Sequence, residues 1–322
     1  MPAMEHQSTS IAAGRPSRQL GKWRPKLHDV VVAWLAELDV AASTKQTYEA
    51  GVRSYLNFLD VSGREGDRRS DIIVYKEFLQ KRHSPGTVST RLTPVRSLYA
   101  YLHAMSGYPN LSLGVRGARS PRGHRKDALT PTQLQALLAV IDSKRDFALV
   151  TTMLHTGARP IEMSRASVGD LRTVGTVTVL DLWGKGADSK DDFVVVVPEA
   201  EVVLRRYIAS RGAVEPHHAL FAGEGNRNQG GHLTTRTISR LIKAYLVEAG
   251  LSSPRLTAHS LRHSAATMAL LGGASLQEAQ AMLRHSSVST TQIYAHNLNR
   301  LEGRGENAVA AYLKAEGALP QW

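Results

Sequence analysis

The stretch SLGVRGARSPRGHRKD, residues 112–127, constrains the architecture before any periodicity is counted. Its glycines and proline break helices, and Arg116, Arg119, Arg122, Arg125 and Lys126 stand against a single acid, Asp127. Such a segment is expected to be a basic, flexible linker between two folded parts, able to lie along a phosphate backbone. A merely solvated hinge is the plainer alternative. With 322 residues the chain has the length for two domains, and a hydrophobic fraction of 42% is enough to close their cores.

Ahead of the linker the pattern is helical. Residues 1–26, rich in Ser, Gly, Pro and Arg, read as a basic flexible tail. From Leu27 onward Val31, Trp34, Leu35 and Leu38 fall on one helical face. Ser43 is placed to cap a second helix whose stripe is Tyr48, Val52, Tyr55, Leu56 and Leu59. A third helix is expected over 72–80. A fourth, over 87–103, would bury Val88, Leu92, Val95, Leu98, Tyr99 and Leu102, with Pro94 inside it predicting a kink or a later start. Residues 27–111 therefore form an all-α domain.

Beyond the linker, residues 128–303 read as mixed α+β. Thr130, Pro131 and Gln133 spell a helix start with a capping box. An apolar helix over 146–157 ends near Gly157. Thr176 to Trp183 and Phe193 to Val197 are strand-like, and GKGADSKD between them has turn composition, so a β-hairpin with a long turn is expected. Helices then resume at about Glu199 and continue nearly to the end. Residues 304–322 carry a last apolar stripe, Val309, Tyr312 and Leu313. The fold class is thus mostly α, with one small β-sheet in the second domain.

Charge narrows the partner. The net charge is +12, of which +9 falls in residues 1–127 and +3 in the remainder. A clustered basic excess attracts a polyanion, most plausibly nucleic acid. No apolar run is long enough to cross a bilayer, the N-terminus lacks a secretory apolar core, and the absence of cysteine excludes disulfides and cysteine-held metals.

Five short pieces carry candidate chemistry. In TGARPIE, Arg159 and Glu162 are three apart and would share a helix face if a helix began near Pro160. Lys185 sits in the hairpin turn GKG. In HSLRH, His259 and Arg262 again share a face. His285 closes LRH, and Tyr294 follows nine residues later in TTQIYAH. Taken singly these are an ion pair, a solvated lysine, a chance His-x-x-Arg and a core tyrosine.

In this order and spacing, TGARPIEM, HSLRHSAATMALLGGASLQEAQAMLRH and TTQIYAH resemble the tyrosine recombinase (phage integrase) family over about residues 128–300. The N-terminal helices resemble that family's SAM-like core-binding domain more loosely. The resemblance implies an enzyme that breaks and rejoins DNA through a 3′-phosphotyrosine and a Holliday junction. Tyr294 would be the nucleophile. Arg159 and Arg262 would clamp the phosphoryl oxygens, and His285 would add a hydrogen bond. Lys185 would protonate the leaving 5′-oxygen and His259 would help move the tyrosine proton. Glu162 would orient an arginine or histidine.

Two arginines take the place of divalent cations in that scheme, so neither metal nor other cofactor is implied. Tyr245 and Tyr312 compete with Tyr294 by type, and Lys190 competes with Lys185. Arg284 departs from the family, which most often has glycine there; the departure is expected to leave the mechanism intact but could add a phosphate contact or alter the turn. With about 26 residues ahead of the first helix, the resemblance points to a compact, Xer-like, two-domain member. Implied partners are a double-stranded core site with inverted arms, further copies of the chain (a dimer per site, a tetramer in synapsis, linked by residues 304–322 in trans) and an accessory directionality factor. A cytoplasmic, nucleoid-associated location follows. A type IB-like topoisomerase, or a DNA-binding regulator with a vestigial site, remains the alternative.

Overall fold

The computed structural model describes residues 24–119, 127–183, 189–226 and 228–284. The chain divides into two compact units between Arg122 and Gly123.

The described residues of the first unit form four helices: α1 Arg24–Glu37, α2 Ala42–Ser62, α3 Arg69–Gln80 and α4 Pro85–Ser106. The first begins three residues before the expected Leu27. Helix α2 begins before Ser43, so Ser43 lies inside it; the cap is Ala41, whose carbonyl accepts from Thr44 and Lys45 with no side-chain bond. Helix α4 starts earlier than expected, because Ser84 accepts from the Thr87 N–H and Pro85 takes the first helical position.

Pro94 neither ends nor delays α4. Its ring lies against Gly51 of α2, where an added Cβ would sit 2.4 Å from the Pro94 Cγ. The glycine makes room for the proline, and the packing offsets the lost backbone bond. The core around this contact holds Trp34, Val52, Tyr55, Leu59, Ile72, Tyr75, Leu92 and Leu98. Tyr55 and Tyr99 meet hydroxyl to hydroxyl at 3.1 Å, and Tyr99 donates to the Gly66 carbonyl at 2.6 Å. Burial pushes both phenols well above their ordinary pKa.

The described half of the basic segment is not a free linker. Val115 is buried in the helical core, Leu111 and Ala118 pack against it, and Arg69 donates to the Leu113 carbonyl. Apolar side chains at 111, 115 and 118 outweigh the helix-breaking composition that suggested flexibility. Arg116 and Arg119 remain exposed, while Arg122, Arg125 and Lys126 lie outside the described residues.

The second unit opens with α5, Pro131–Ala139, carrying the expected Thr130–Gln133 capping box. Helix α6, Lys144–Thr156, is buried along most of its length and stops at Gly157, whose φ of 62° gives a left-handed cap. Helix α7, Pro160–Arg165, and a 3₁₀ turn, Val168–Asp170, lead into an antiparallel sheet of β1 Leu171–Val174, β2 Val177–Leu182 and β3 Asp192–Val195. Strand β1 is absent from the sequence reading. It joins β2 through Gly175 and Thr176, with Val174 opposite Val177 and Gly175 at φ 62°.

Helices α8 Pro198–Ser210, α9 Thr235–Glu248, α10 Ala258–Leu271 and α11 Leu276–Leu283 complete the described unit. The expected unbroken run of helices is interrupted over 211–234, where Gly212, Pro216, Gly223, Gly225, Gly230 and Gly231 hold the chain in turns and two isolated bridges. The core lies between α6, α8, α9, α10 and the inner sheet face of Leu180, Leu182 and Val194. Among the described residues, no helix is long and apolar enough to cross a membrane.

Candidate active site

Proline at position 160 fixes the first element of the site. It takes the first helical position of α7 and leaves Arg159 extended, at φ −81° and ψ 150°. Arg159 is therefore the residue before the helix rather than part of its face. It meets Glu162 through cap geometry instead of helical periodicity. The Glu162 carboxylate accepts from the Arg159 backbone N–H at 2.6 Å and from its Nη1 at 2.7 Å. Glu162 is 5% exposed, so its charge is held by these donors and not by water. Glu162, expected to orient an arginine or histidine, thus contacts Arg159.

Arg262 lies on α10 and is 4% exposed. Its Nη1 donates to the Gly157 carbonyl at 2.6 Å, and its Nη2 donates to the Leu283 carbonyl. Both acceptors are at helix C-termini, of α6 and α11, where the backbone dipoles favour a cation. Gly157 is required twice over. Its φ is left-handed, and an added Cβ would stand 2.6 Å from the Leu283 Cδ2. His259 sits three residues before Arg262 on α10 and is exposed, its ring 6.5 Å from that of His263.

The two arginines converge on one dipeptide. Arg262 bonds the carbonyl of Leu283, and the Glu162 that holds Arg159 also accepts from Arg284 Nη2 at 2.5 Å. His285 is the next residue along the chain. Arg284, a departure from the family pattern for which a phosphate contact or an altered turn is expected, instead donates to Glu162, and the carboxylate of Asp192, to which the sequence assigns no role, lies 3.3 Å from the Arg284 Nε. The left-handed backbone at 284, φ 53°, accounts for glycine suiting that position.

His285, Tyr294, Lys185 and residues 304–322 lie outside the described residues. Their rivals are partly accounted for. Lys190 is ion-paired with the buried Asp170, whose other oxygen accepts from the Ser167 N–H at 2.7 Å. Tyr245 donates to Asp146 at 2.8 Å. Its phenol is pushed up to about 12, first by desolvation and then by that carboxylate, which disfavours the phenolate a nucleophile needs.

Residues 127–300 match the phage integrase family, and the chain belongs to that family. It is 29% identical over 284 residues to a tyrosine recombinase XerC of Herpetosiphon aurantiacus, covering 82% of this chain and 87% of that one. It is 28% identical over 305 residues to a tyrosine recombinase XerD of Lacticaseibacillus casei, covering 89% and 98%. Its fold is similar to that of a lambda integrase fragment crystallised as a dimer on a COC′ core site, with a TM-score of 0.68 at 17% identity over 84% of this chain and 94% of that one.

Proposed function

We propose that the chain is a site-specific DNA recombinase that cuts and rejoins DNA through a tyrosine ester. The observation that carries this is the convergence of Arg159, through Glu162, and Arg262 on Leu283–Arg284, directly before His285. Family membership and Xer recombinase relatives spanning more than four-fifths of the chain support the same reading.

In this mechanism the Tyr294 hydroxyl attacks a phosphodiester phosphorus. Its proton passes toward His259, and the bond to the 5′-oxygen breaks. The leaving oxygen takes a proton from Lys185. Arg159, Arg262 and His285 stabilise the charge that builds on the non-bridging oxygens. The 3′-phosphotyrosine keeps the ester, so a 5′-hydroxyl from another strand reverses the step without metal or ATP. Repeated on two duplexes, the exchange passes through a Holliday junction.

Residues 27–111 and 128–303 then act as core-binding and catalytic domains closing on duplex DNA. Arg116 and Arg119, exposed on the first unit, and Arg122, Arg125 and Lys126 after them contact the DNA backbone, and residues 304–322 link neighbouring protomers of a tetramer. A directionality factor would select among outcomes, and the chain works where its DNA is, in the cytoplasm at the nucleoid.

The test is a covalent trap. Wild-type and Tyr294→Phe protein are incubated with nicked duplexes drawn from DNA flanking the gene, denatured, and the attached DNA sequenced. An adduct with wild type alone is expected. An equal adduct from both proteins, or none across a genome-wide fragment pool despite DNA binding, refutes the reading.

A further inference from the structure

Arg284 occupies a conformation and a burial that a surface arginine would not adopt. Among the described residues it is the one non-glycine with positive φ, at 53°, a region that is strained for an L-residue. Its side chain is nevertheless only 8% exposed. The guanidinium reaches three places. Nη2 meets Glu162 Oε2 at 2.5 Å, Nε lies 3.3 Å from Asp192 Oδ2, and Nη1 donates to the Met282 carbonyl at 3.1 Å. Glu162 is the carboxylate that holds Arg159. Asp192 is the first residue of β3, at the base of the turn that carries Lys185. Arg284 itself is bonded to His285.

We infer that Arg284 is a positioning residue that ties Arg159 and the foot of the Lys185 hairpin to the backbone immediately before His285. This rests on the recombinase reading above and deepens it. A glycine would relieve the backbone strain and remove the side-chain link between Glu162 and Asp192, while the Arg262 bonds to the Gly157 and Leu283 carbonyls would remain. The ion pairs are the compensation for the strained backbone, and they join elements that, among the described residues, no backbone hydrogen bond joins. The arrangement differs from a phosphate contact, because Nη2 and Nη1 already donate to a carboxylate and a carbonyl, and a second carboxylate lies beside Nε.

The test uses full-length protein carrying Arg284→Gly, Arg284→Lys, Asp192→Asn, and Arg284→Gly with Asp192→Asn. Hydrogen exchange of the peptide over 192–196 reads the hairpin foot without reference to activity. Arg284→Gly and Asp192→Asn are each expected to speed its exchange severalfold, the double variant no further, and Arg284→Lys to recover part of the protection. On the cleavage substrate, Arg284→Gly is expected to slow single-turnover adduct formation about tenfold to a hundredfold at saturating DNA, with DNA affinity within about twofold. Exchange at 192–196 that is unchanged in Arg284→Gly, or additive in the double variant, overturns the inference. Wild-type protein that forms no adduct would instead count against the recombinase reading, while the exchange data still decide the coupling.

Discussion

Replacing Glu162 tests the frame of the site most directly. The carboxylate is buried and accepts from the Arg159 N–H, the Arg159 Nη1 and the Arg284 Nη2. Glutamine keeps the shape and one acceptor oxygen but turns an amide N–H₂ toward guanidinium donors. A charge-assisted hydrogen bond contributes about 1.5–3 kcal/mol against about 1 for a neutral one. The Arg159 side chain is 26% exposed and Arg284 8%, so screening weakens the first pair and leaves the second as the larger contribution. Glu162→Gln should therefore cost roughly 2–3 kcal/mol, and Glu162→Ala about 3–5, the range for stranding a buried partner. The two units make a single unfolding midpoint ambiguous, so the readout is native-state hydrogen exchange of the α10 amides. An opening made roughly 2–3 kcal/mol easier speeds that exchange about 30- to 150-fold. Exchange within about twofold of wild type, together with unchanged cleavage, would refute the claim that Glu162 holds the arginines.

Two further perturbations separate the tyrosines and the units. Tyr245→Phe should leave adduct formation intact where Tyr294→Phe abolishes it. Because the folded pKa of Tyr245 is raised to about 12 from the ordinary 10, its contribution is present below pH 10 and lost as the pH climbs toward 12. The stability gap between wild type and Tyr245→Phe should thus shrink over that window in an alkaline unfolding series, and a widening gap would reverse the assignment. Gly51→Ala places a Cβ 2.4 Å from the Pro94 ring, so overpacking of about 1–3 kcal/mol should exceed the roughly 1 kcal/mol of helix propensity gained. Faster exchange in α2 and α4 with α10 unaffected is expected; a stabilised first unit would show that the two helices can separate.

What the sequence made legible was whatever depends on near neighbours. The Thr130–Gln133 cap and the left-handed stop at Gly157 were readable because residue type and backbone conformation are coupled locally. Strand β1 was missed although Gly175 marked its turn, since four residues, three of them exposed on both faces of a short edge, leave no alternation to count. The turns over 211–234 were lost for the opposite reason, as buried apolar residues such as Leu220 and Phe221 mimic a helical stripe while their neighbours Ala219 and Ala222 pair in isolated bridges. Arg159 and Glu162 were paired correctly for an incorrect reason, because Pro160 turns a supposed helix face into a cap. The link from Arg284 to Asp192 spans 92 residues and leaves no local signal at either end.

The two candidate clamp arginines are held by different chemistry, and that difference bears on how each meets a phosphate. Arg262 is held by carbonyls at two helix ends, neutral acceptors whose dipoles orient the guanidinium without cancelling its charge. Arg159 is held by a carboxylate that it shares with Arg284. Three guanidinium groups gathered around Leu283–Arg284 would repel one another, and the buried Glu162, helped by the more exposed Asp192, offsets that repulsion before any DNA is present. An incoming phosphate would then compete with the Glu162 carboxylate for Arg159, whereas the two acceptors described for Arg262 are neutral backbone carbonyls. By this argument Arg262 supplies a fixed charge, and Arg159 supplies one whose availability depends on how firmly Arg284 keeps the shared carboxylate.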